Sequence, residues 1–252
     1  MISPCPCNIR RRPSAADKTI QQIQHLPPPA SAKETMNTSE IIFHNLFAGL
    51  RKDFFNDTSA TAEAMSPWKQ RRVEGIRRTI EEEETYDASA QYQFLSMIQE
   101  KRRARIFENE RHSIDTSVET LQLLNIIVFN ISSIEDGSIS VKGIITLGRY
   151  LREQGHLVDY VKLDNWIAEL HIKNMAAFLS SLLLQAFGFD KNELPFLYKT
   201  DKTAYVRLCT QLAKTGNTST IAQSRMLMRY SPYGVLAMWR QRISKALDSI
   251  EE

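Results

Sequence analysis

The chain has 252 residues with 42% apolar and 24% charged side chains, a composition typical of a globular protein of one large or two small domains. Nine glycines without a glycine-rich run exclude fibrous classes, and the longest apolar stretch, residues 175–189, is too short and too polar to cross a bilayer. The formal net charge of +3 combines +3 in residues 1–35, −5 in residues 36–190 and +5 in residues 191–252.

Residues 1–35 are expected to form a disordered leader. They contain three consecutive arginines from Arg10 and three consecutive prolines from Pro27, without an apolar pattern long enough to fold. They also lack the continuous apolar segment of a secretory signal. Because a helical pattern opens directly after Met36, we expect the native start to lie there and the leader to be dispensable or not native.

Two helices of a charged N-terminal region, residues 36–112, are predicted from their caps. Ser39 is expected to cap a helix that ends near Asn56, and Ser66 followed by Pro67 is typical of a second helix start. Opposite charges spaced four residues apart are expected to support this second helix on its solvated side. These pairs are Glu74 with Arg78, Arg77 with Glu81, and Arg78 with Glu82.

The rest of this region is also charged. Four consecutive glutamates, residues 81–84, are interpreted as a solvated face, because adjacent carboxylates on a helix point in different directions and do not converge on one cation. Asp87 is expected to cap a third helix with Tyr92, Leu95 and Ile98 on one face. With few apolar residues over 66–110, this part of the chain is predicted to form a protruding arm or helical hairpin.

The central part of the chain predicts the core. Residues 118–131 are apolar almost all round, which fits both a buried helix and a buried strand, and the residues from Ser117 onward favour the helix. Three amphipathic helices follow, the first ended by Gly155 and the third capped by Asn174 and closed by Gly188. Their inward residues are predicted to be Ile144, Leu147, Gly148 and Leu151, then Leu163, Trp166, Ile167 and Leu170, then Met175, Phe178, Leu179, Leu182, Leu183 and Ala186.

Three more helices are predicted after Pro195, at residues 202–214, 219–230 and 234–250, with a Ser-Pro-Tyr-Gly turn before the last. The last helix carries a regular apolar stripe, which we expect to face the core. Its residues are Leu236, Trp239, Ile243, Leu247 and Ile250. No segment shows sustained strand-like alternation, so the predicted fold is all-α: a disordered leader (1–35), a charged helical region (36–112) and a compact multi-helix bundle (113–252).

Known catalytic patterns are missing from the sequence. The five histidines form no metal-ligand pair, Cys5 and Cys7 lack the spacing of a zinc ribbon, and no phosphate-binding glycine loop occurs. Cys209 is expected to be a buried, inert thiol, and His171 a helix-boundary residue. We therefore predict no catalytic residue, no metal site, no cofactor, no small-molecule substrate and no membrane partner. Three cysteines in so long a chain favour a reducing compartment, hence a cytoplasmic location.

One stretch resembles an uncharacterised bacterial family of unknown function, found in gut anaerobes and sometimes near mobile elements. The resemblance covers roughly residues 140–200 and consists mostly of packing residues. It is carried by Trp166, Ile167, Leu170, Met175, Ala176, Leu182, Leu183, Phe187, Phe189, Glu193, Leu194, Pro195 and Phe196. It implies a bacterial protein with a mobile-element context, and it brings no catalytic motif.

Two functions remain open. The basic C-terminal third, with its three predicted helices, fits a helix-turn-helix unit that binds DNA as an accessory or regulatory protein. Its phosphate contacts would come from Lys214, Arg225 and Arg229, and its base contacts from Tyr233 or Arg240. A C-terminal helical hairpin packed on the body is the plainer interpretation. The alternative function is a helical module that binds a protein partner or a second copy of itself, without a nucleic-acid role.

Overall fold

The computed structural model describes residues 38–113, 117–214, 227–230 and 232–251; the predicted leader lies outside them. Thr38–Glu252 forms one compact unit, and the described residues form helices joined by turns and loops, with no strand, which confirms the all-α prediction. The helices are α1 (Thr38–Phe55), α2 (Pro67–Glu81), α3 (Met97–Arg111), α4 (Val118–Glu135), α5 (Val141–Gln154), α6 (Tyr160–Glu169), α7 (Lys173–Phe187), α8 (Ala204–Ala213) and α9 (Pro232–Glu251), with 3-10 turns at Gly155–Leu157 and Lys191–Glu193. None of these helices combines the length and apolar character that a membrane span requires.

Helices α4 and α7 form the centre of the bundle. The sequence left helix and strand open for residues 118–131, and the helical interpretation is confirmed. Ser117 caps α4 by accepting a hydrogen bond from the Thr120 N–H at 3.4 Å. Helix α7 packs against α1, α4, α5, α6 and α8. An almost wholly apolar helix is stable only when other helices cover it on all sides, which explains the central place of α4 and α7.

The three amphipathic helices α5, α6 and α7 were also correctly predicted. Their predicted inward residues are all buried. Gly155 follows α5, and Gly188 ends α7 in the left-handed conformation, with φ of 69°. The predicted cap at Asn174 is wrong, because α7 begins at Lys173, which puts Asn174 in its first turn, and Ile172 takes the cap position without a side-chain bond.

The charged N-terminal region packs on the body and does not protrude. Ile76 and Ile80 of α2 and Ile106 of α3 are buried in the common core, and the Gln99 side-chain amide donates a hydrogen bond to the Leu170 carbonyl at 3.0 Å. A few apolar residues therefore suffice to anchor each charged helix. Ser66 is the cap of α2, as predicted.

Two other predicted starts in this region are wrong. Ser39 lies inside α1. Asp87 does not begin a helix, because its carboxylate accepts hydrogen bonds from the N–H and hydroxyl of Ser89 and forms a turn. Helix α3 begins only at Met97. Tyr92, placed on a helix by the prediction, instead packs on Phe129 with ring centroids 4.6 Å apart.

The glutamate run is a solvated face except for one residue. The Glu83 carboxylate accepts hydrogen bonds from the Ser140 hydroxyl and the Lys142 N–H, both at 3.0 Å, and so lies at the N-terminus of α5. Burial raises the pKa of this carboxyl above its usual value, and these hydrogen bonds offset only part of that effect.

Candidate docking surface

The C-terminal helix is attached to the body through the short helical segment that precedes it, residues 227–230. Tyr230 is buried, and its ring lies against Phe178 with centroids 4.7 Å apart. The Tyr230 hydroxyl donates a hydrogen bond to Asp201, and Arg229 forms an ion pair with the same carboxylate at 3.5 Å. Asp201 is therefore the polar anchor of this segment.

The pKa of Asp201 reflects this role. Burial alone would raise the pKa, but the hydrogen bonds from Tyr230 and from the N–H and hydroxyl of Thr203, together with the Arg229 charge, lower it below its usual value. The carboxylate is consequently ionised at neutral pH. Hydrogen bonds to a charged acceptor are stronger than neutral ones, so the anchor is strongest in the ionised state.

One side of α9 faces the body. Val235 is 7% exposed and Met238 is 3% exposed, and both belong to the hydrophobic core. The Tyr233 ring stacks on His171 with centroids 5.8 Å apart and an interplanar angle of 18°. His171 directly follows the last turn of α6 with φ of 56°, which confirms its prediction as a helix-boundary residue.

The side of α9 next to this packed face presents large apolar side chains to solvent. Leu236 is 73% exposed, Trp239 is 46% exposed and Ile243 is 58% exposed. Their spacing of three and four residues aligns them along one side of the helix, centred about 100° around the axis from Val235 and Met238. We call these three residues the outer stripe.

The outer stripe corrects the sequence prediction that this face packs in the core. Leu247 and Ile250 continue the same spacing in the sequence, but their side chains lie outside the described residues. Periodicity identified the longer apolar stripe, whereas the shorter pair, Val235 and Met238, is the one that packs. A helix with two apolar faces satisfies the same pattern in either orientation, and only the neighbouring helices decide which face is covered.

The five predicted nucleic-acid contacts (Lys214, Arg225, Arg229, Tyr233 and Arg240) have different environments. Lys214, which caps α8, and Arg240 are exposed, whereas Arg225 lies outside the described residues. Arg229 is paired with Asp201, and Tyr233 is half-buried against His171. Among the four described residues, no hydrogen bond, ion pair or ring contact joins one to another. Arg240 borders the outer stripe, because it lies four residues after Leu236 and three before Ile243.

The predicted turn of the helix-turn-helix differs from the structure. Pro232 is the first residue of α9, so Tyr233 and Gly234 belong to its first turn and not to a connecting loop. Proline favours the first helical position because its fixed φ suits the helix and its missing N–H is not needed there. Ser231 and most of the predicted helix at 219–230 lie outside the described residues.

In comparisons with protein families, curated proteins and solved structures, nothing matches this chain. The bacterial family resemblance and its mobile-element context accordingly stay predictions.

The thiol of Cys209 is held in its neutral form. It is half-buried on α8 beside the Tyr205 side chain. Burial raises the pKa of this thiol to about 11, although hydrogen bonding to Tyr205 acts in the other direction. The thiolate is the nucleophilic form of cysteine, so at neutral pH this side chain is a poor nucleophile.

Proposed function

We propose that this chain is a non-enzymatic helical module that pairs with a second copy of itself through the outer stripe. The observation that carries the proposal is the exposure of Leu236, Trp239 and Ile243 on one side of a helix whose adjacent side is packed in the core. Exposed apolar patches of this kind are typical of interaction sites. The i, i+3, i+7 spacing is also that of the contact seam between paired helices.

A second copy of the chain is the simplest partner for the outer stripe. The sequence of α9 has three basic residues in the middle (Arg240, Arg242 and Lys245) and three acidic residues at positions 248, 251 and 252. In an antiparallel pair centred on the outer stripe, the acidic end of each copy extends past the basic middle of the other, towards the N-terminal end of its α9. A twofold interface uses one patch twice, so a helix that complements itself needs no other surface.

Nucleic-acid binding is the competing proposal. Exposed Lys214 and Arg240 are compatible with phosphate contacts. However, Arg229 and Tyr233 have partners within the fold, and the outer stripe places leucine, tryptophan and isoleucine on the exposed surface beside Arg240, where a recognition helix carries polar side chains. Helix pairing therefore accounts for more of the described surface than DNA binding does.

Sedimentation velocity of the full chain between about 1 and 100 µM tests the proposal, because helix-pair interfaces of modest area have dissociation constants in this range. The test variant is Leu236→Ser with Ile243→Ser. The matched control is Val161→Ser with Val206→Ser, which removes two apolar side chains that are 75% and 63% exposed on other helices. We expect dimers in the parent and the control, and monomers in the test variant.

Fluorescence anisotropy with a generic DNA duplex, titrated across salt, covers the competing function. A parent chain that stays monomeric over the whole concentration range contradicts pairing. If that monomer also binds the duplex with steep salt dependence, and Arg240→Gln weakens this binding, the nucleic-acid function replaces the proposal.

A further inference from the structure

A second exposed feature lies at the start of α2, on a different helix from the outer stripe. Residues 67–73 contain three basic side chains and no acidic one. Trp68, in the first turn, is 58% exposed, and it is the only exposed large apolar side chain of α2. Core packing does not account for this tryptophan, because α2 packs through Ile76 and Ile80.

Arg71 and Arg72 flank Trp68 on the surface of α2. Residues three and four positions apart on a helix are surface neighbours, and these two arginines lie at those distances from Trp68. Arg71 is exposed and Arg72 is half-buried. The exposed indole ring is therefore bordered by two guanidinium groups.

Helix α8 brings a third cation to this place. A guanidinium N–H of Arg72 donates a hydrogen bond at 3.1 Å to the carbonyl of Ala213, the last residue of α8. Lys214 directly follows Ala213 and is exposed, so it lies beside α2. We call Trp68, Arg71, Arg72 and Lys214 the basic surface.

The positive charge of the basic surface is largely uncompensated. Among the described residues, no ion pair joins an acidic side chain to Arg71, Arg72 or Lys214. The carbonyl that Arg72 contacts is neutral, so the guanidinium keeps its charge and has other N–H donors available. Glu74 is the nearest acidic residue in the sequence of α2, and it forms no ion pair with a described residue either. Three cations near one carboxylate favour an anionic partner.

Single-stranded nucleic acid fits both the charge and the aromatic ring. Its phosphates bind arginine and lysine, and its bases stack on exposed aromatic side chains, which the bases of a duplex cannot do without leaving their own stack. A membrane with anionic lipids also attracts cations, but an interfacial helix inserts a whole apolar face. The exposed side of α2 has only Trp68 to insert.

We propose that the basic surface binds single-stranded nucleic acid, with one base stacked on Trp68 and the adjoining phosphates bound by the three cations. The site shares no residue with the outer stripe and does not depend on pairing.

Fluorescence anisotropy of the full chain with a labelled oligothymidine of about 20 nucleotides tests this proposal, beside a duplex of the same length. We expect the single strand to bind more tightly than the duplex. Trp68→Ala should weaken single-strand binding about tenfold, because it removes one stacked base, and Trp68→Phe, which keeps a ring, should weaken it less. Phe54→Ala removes an aromatic side chain that is 43% exposed on α1 and should leave binding unchanged.

The salt dependence of binding tests the phosphate contacts separately. Arg71→Gln with Lys214→Gln removes two cations, so the slope of log affinity against log salt should become shallower by about 1.4. Lys101→Gln with Arg105→Gln removes two exposed cations from α3 and should leave the slope unchanged. Arg240→Gln should also have no effect on single-strand binding, which separates the basic surface from the C-terminal helix.

Four results would overturn the proposal. The first is duplex binding as tight as single-strand binding, and the second is an equal loss in Trp68→Ala and Phe54→Ala. The third is binding that none of these variants weakens, because the arginines at positions 10–12 would then be responsible. The fourth is binding to phosphatidylserine vesicles in place of the single strand.

Discussion

Replacement of Gly143 by alanine tests the tightest crossing in the bundle, between α4 and α5. A Cβ atom at this position would lie 2.5 Å from the Asn130 Oδ1 atom and 2.9 Å from the Phe129 ring. Asn130 is 1% exposed, and its amide donates hydrogen bonds to the Ile126 carbonyl at 2.9 Å and to the Gly143 carbonyl at 3.1 Å. The obstructing side chain is therefore held by carbonyls of both helices through its Nδ2 atom.

The magnitude follows from three contributions. Alanine is favoured over glycine within a helix by about 0.5–1 kcal/mol. Against this, forcing an extra methyl group into a packed crossing costs about 1–3 kcal/mol. Rotation of Asn130 away from the new methyl group would forfeit hydrogen bonds worth about 1 kcal/mol each. We expect Gly143→Ala to lower the free energy of unfolding by about 1–3 kcal/mol.

Chemical denaturation followed by circular dichroism measures this change as a lower midpoint at constant slope. Gly75→Ala is the matched control, because nothing lies within 4 Å of its Cβ position in α2, and it should stabilise the chain by about 0.5–1 kcal/mol. In an Asn130→Ala background the cost of Gly143→Ala should fall, since the closest obstructing atom is gone. A Gly143→Ala chain as stable as the parent, or an unchanged cost in that background, would refute the argument.

Two further predictions concern pH and stability. The pKa of Asp201 is lowered in the folded chain. The contribution of Asp201 to the free energy of unfolding is therefore complete above the unfolded pKa of 3.8 and is lost as pH falls through the folded pKa. Asp201→Asn should remove this pH dependence of stability, which denaturation curves from pH 2 to 7 measure. The pH dependence expected for Glu83 is reversed, because its pKa is raised in the folded chain. Its contribution to the free energy of unfolding is complete below the unfolded pKa of 4.5 and is lost as pH rises through the folded pKa. Glu83→Gln, which keeps the acceptor for Lys142, should be at least as stable as the parent at pH 7, and a clear loss of stability there would contradict the assigned burial cost.

Local patterns predicted the helical fold correctly, because the inward residues of α5 to α7 and some of the helix ends depend on sequence spacing that tertiary packing did not override. Ser66 with Pro67, Ser117 and Gly188 are examples. The Asp87 prediction failed for a local reason: an acidic residue followed by serine two positions later can close a turn as readily as it caps a helix. No periodic signal separates these outcomes.

The outer stripe was mispredicted for a different reason, which lies outside the helix itself. Val235 and Met238 are no more apolar than Leu236, Trp239 and Ile243, so the sequence of α9 contains no preference for the face that packs. The preference comes from the anchor at Tyr230 and the stack of Tyr233 on His171, contacts between residues far apart in the chain.

The attachment of α9 and the proposed pairing should be energetically linked. Helix α9 packs on the body through Val235, Met238 and the stack of Tyr233 on His171, and the Tyr230 hydrogen bond to Asp201 fixes the segment that leads into it. Pairing requires that both copies present α9 in the attached position, and the apparent affinity falls with the fraction that does so. If Tyr230→Phe releases α9 in half of the molecules, the dissociation constant should rise about fourfold, because the fraction enters once for each copy.

Sedimentation velocity of Tyr230→Phe, beside denaturation of the same variant, checks this linkage. Phenylalanine keeps the ring against Phe178 and removes only the hydroxyl, so a change in pairing reports the Asp201 anchor and not a lost core contact. Tyr205→Phe is the control, since it removes a hydroxyl that hydrogen-bonds to Cys209 on α8 and should leave pairing unchanged. If Tyr230→Phe lowers stability while the dissociation constant stays the same, attachment of α9 does not limit pairing, and the two copies must meet through a surface that does not depend on it.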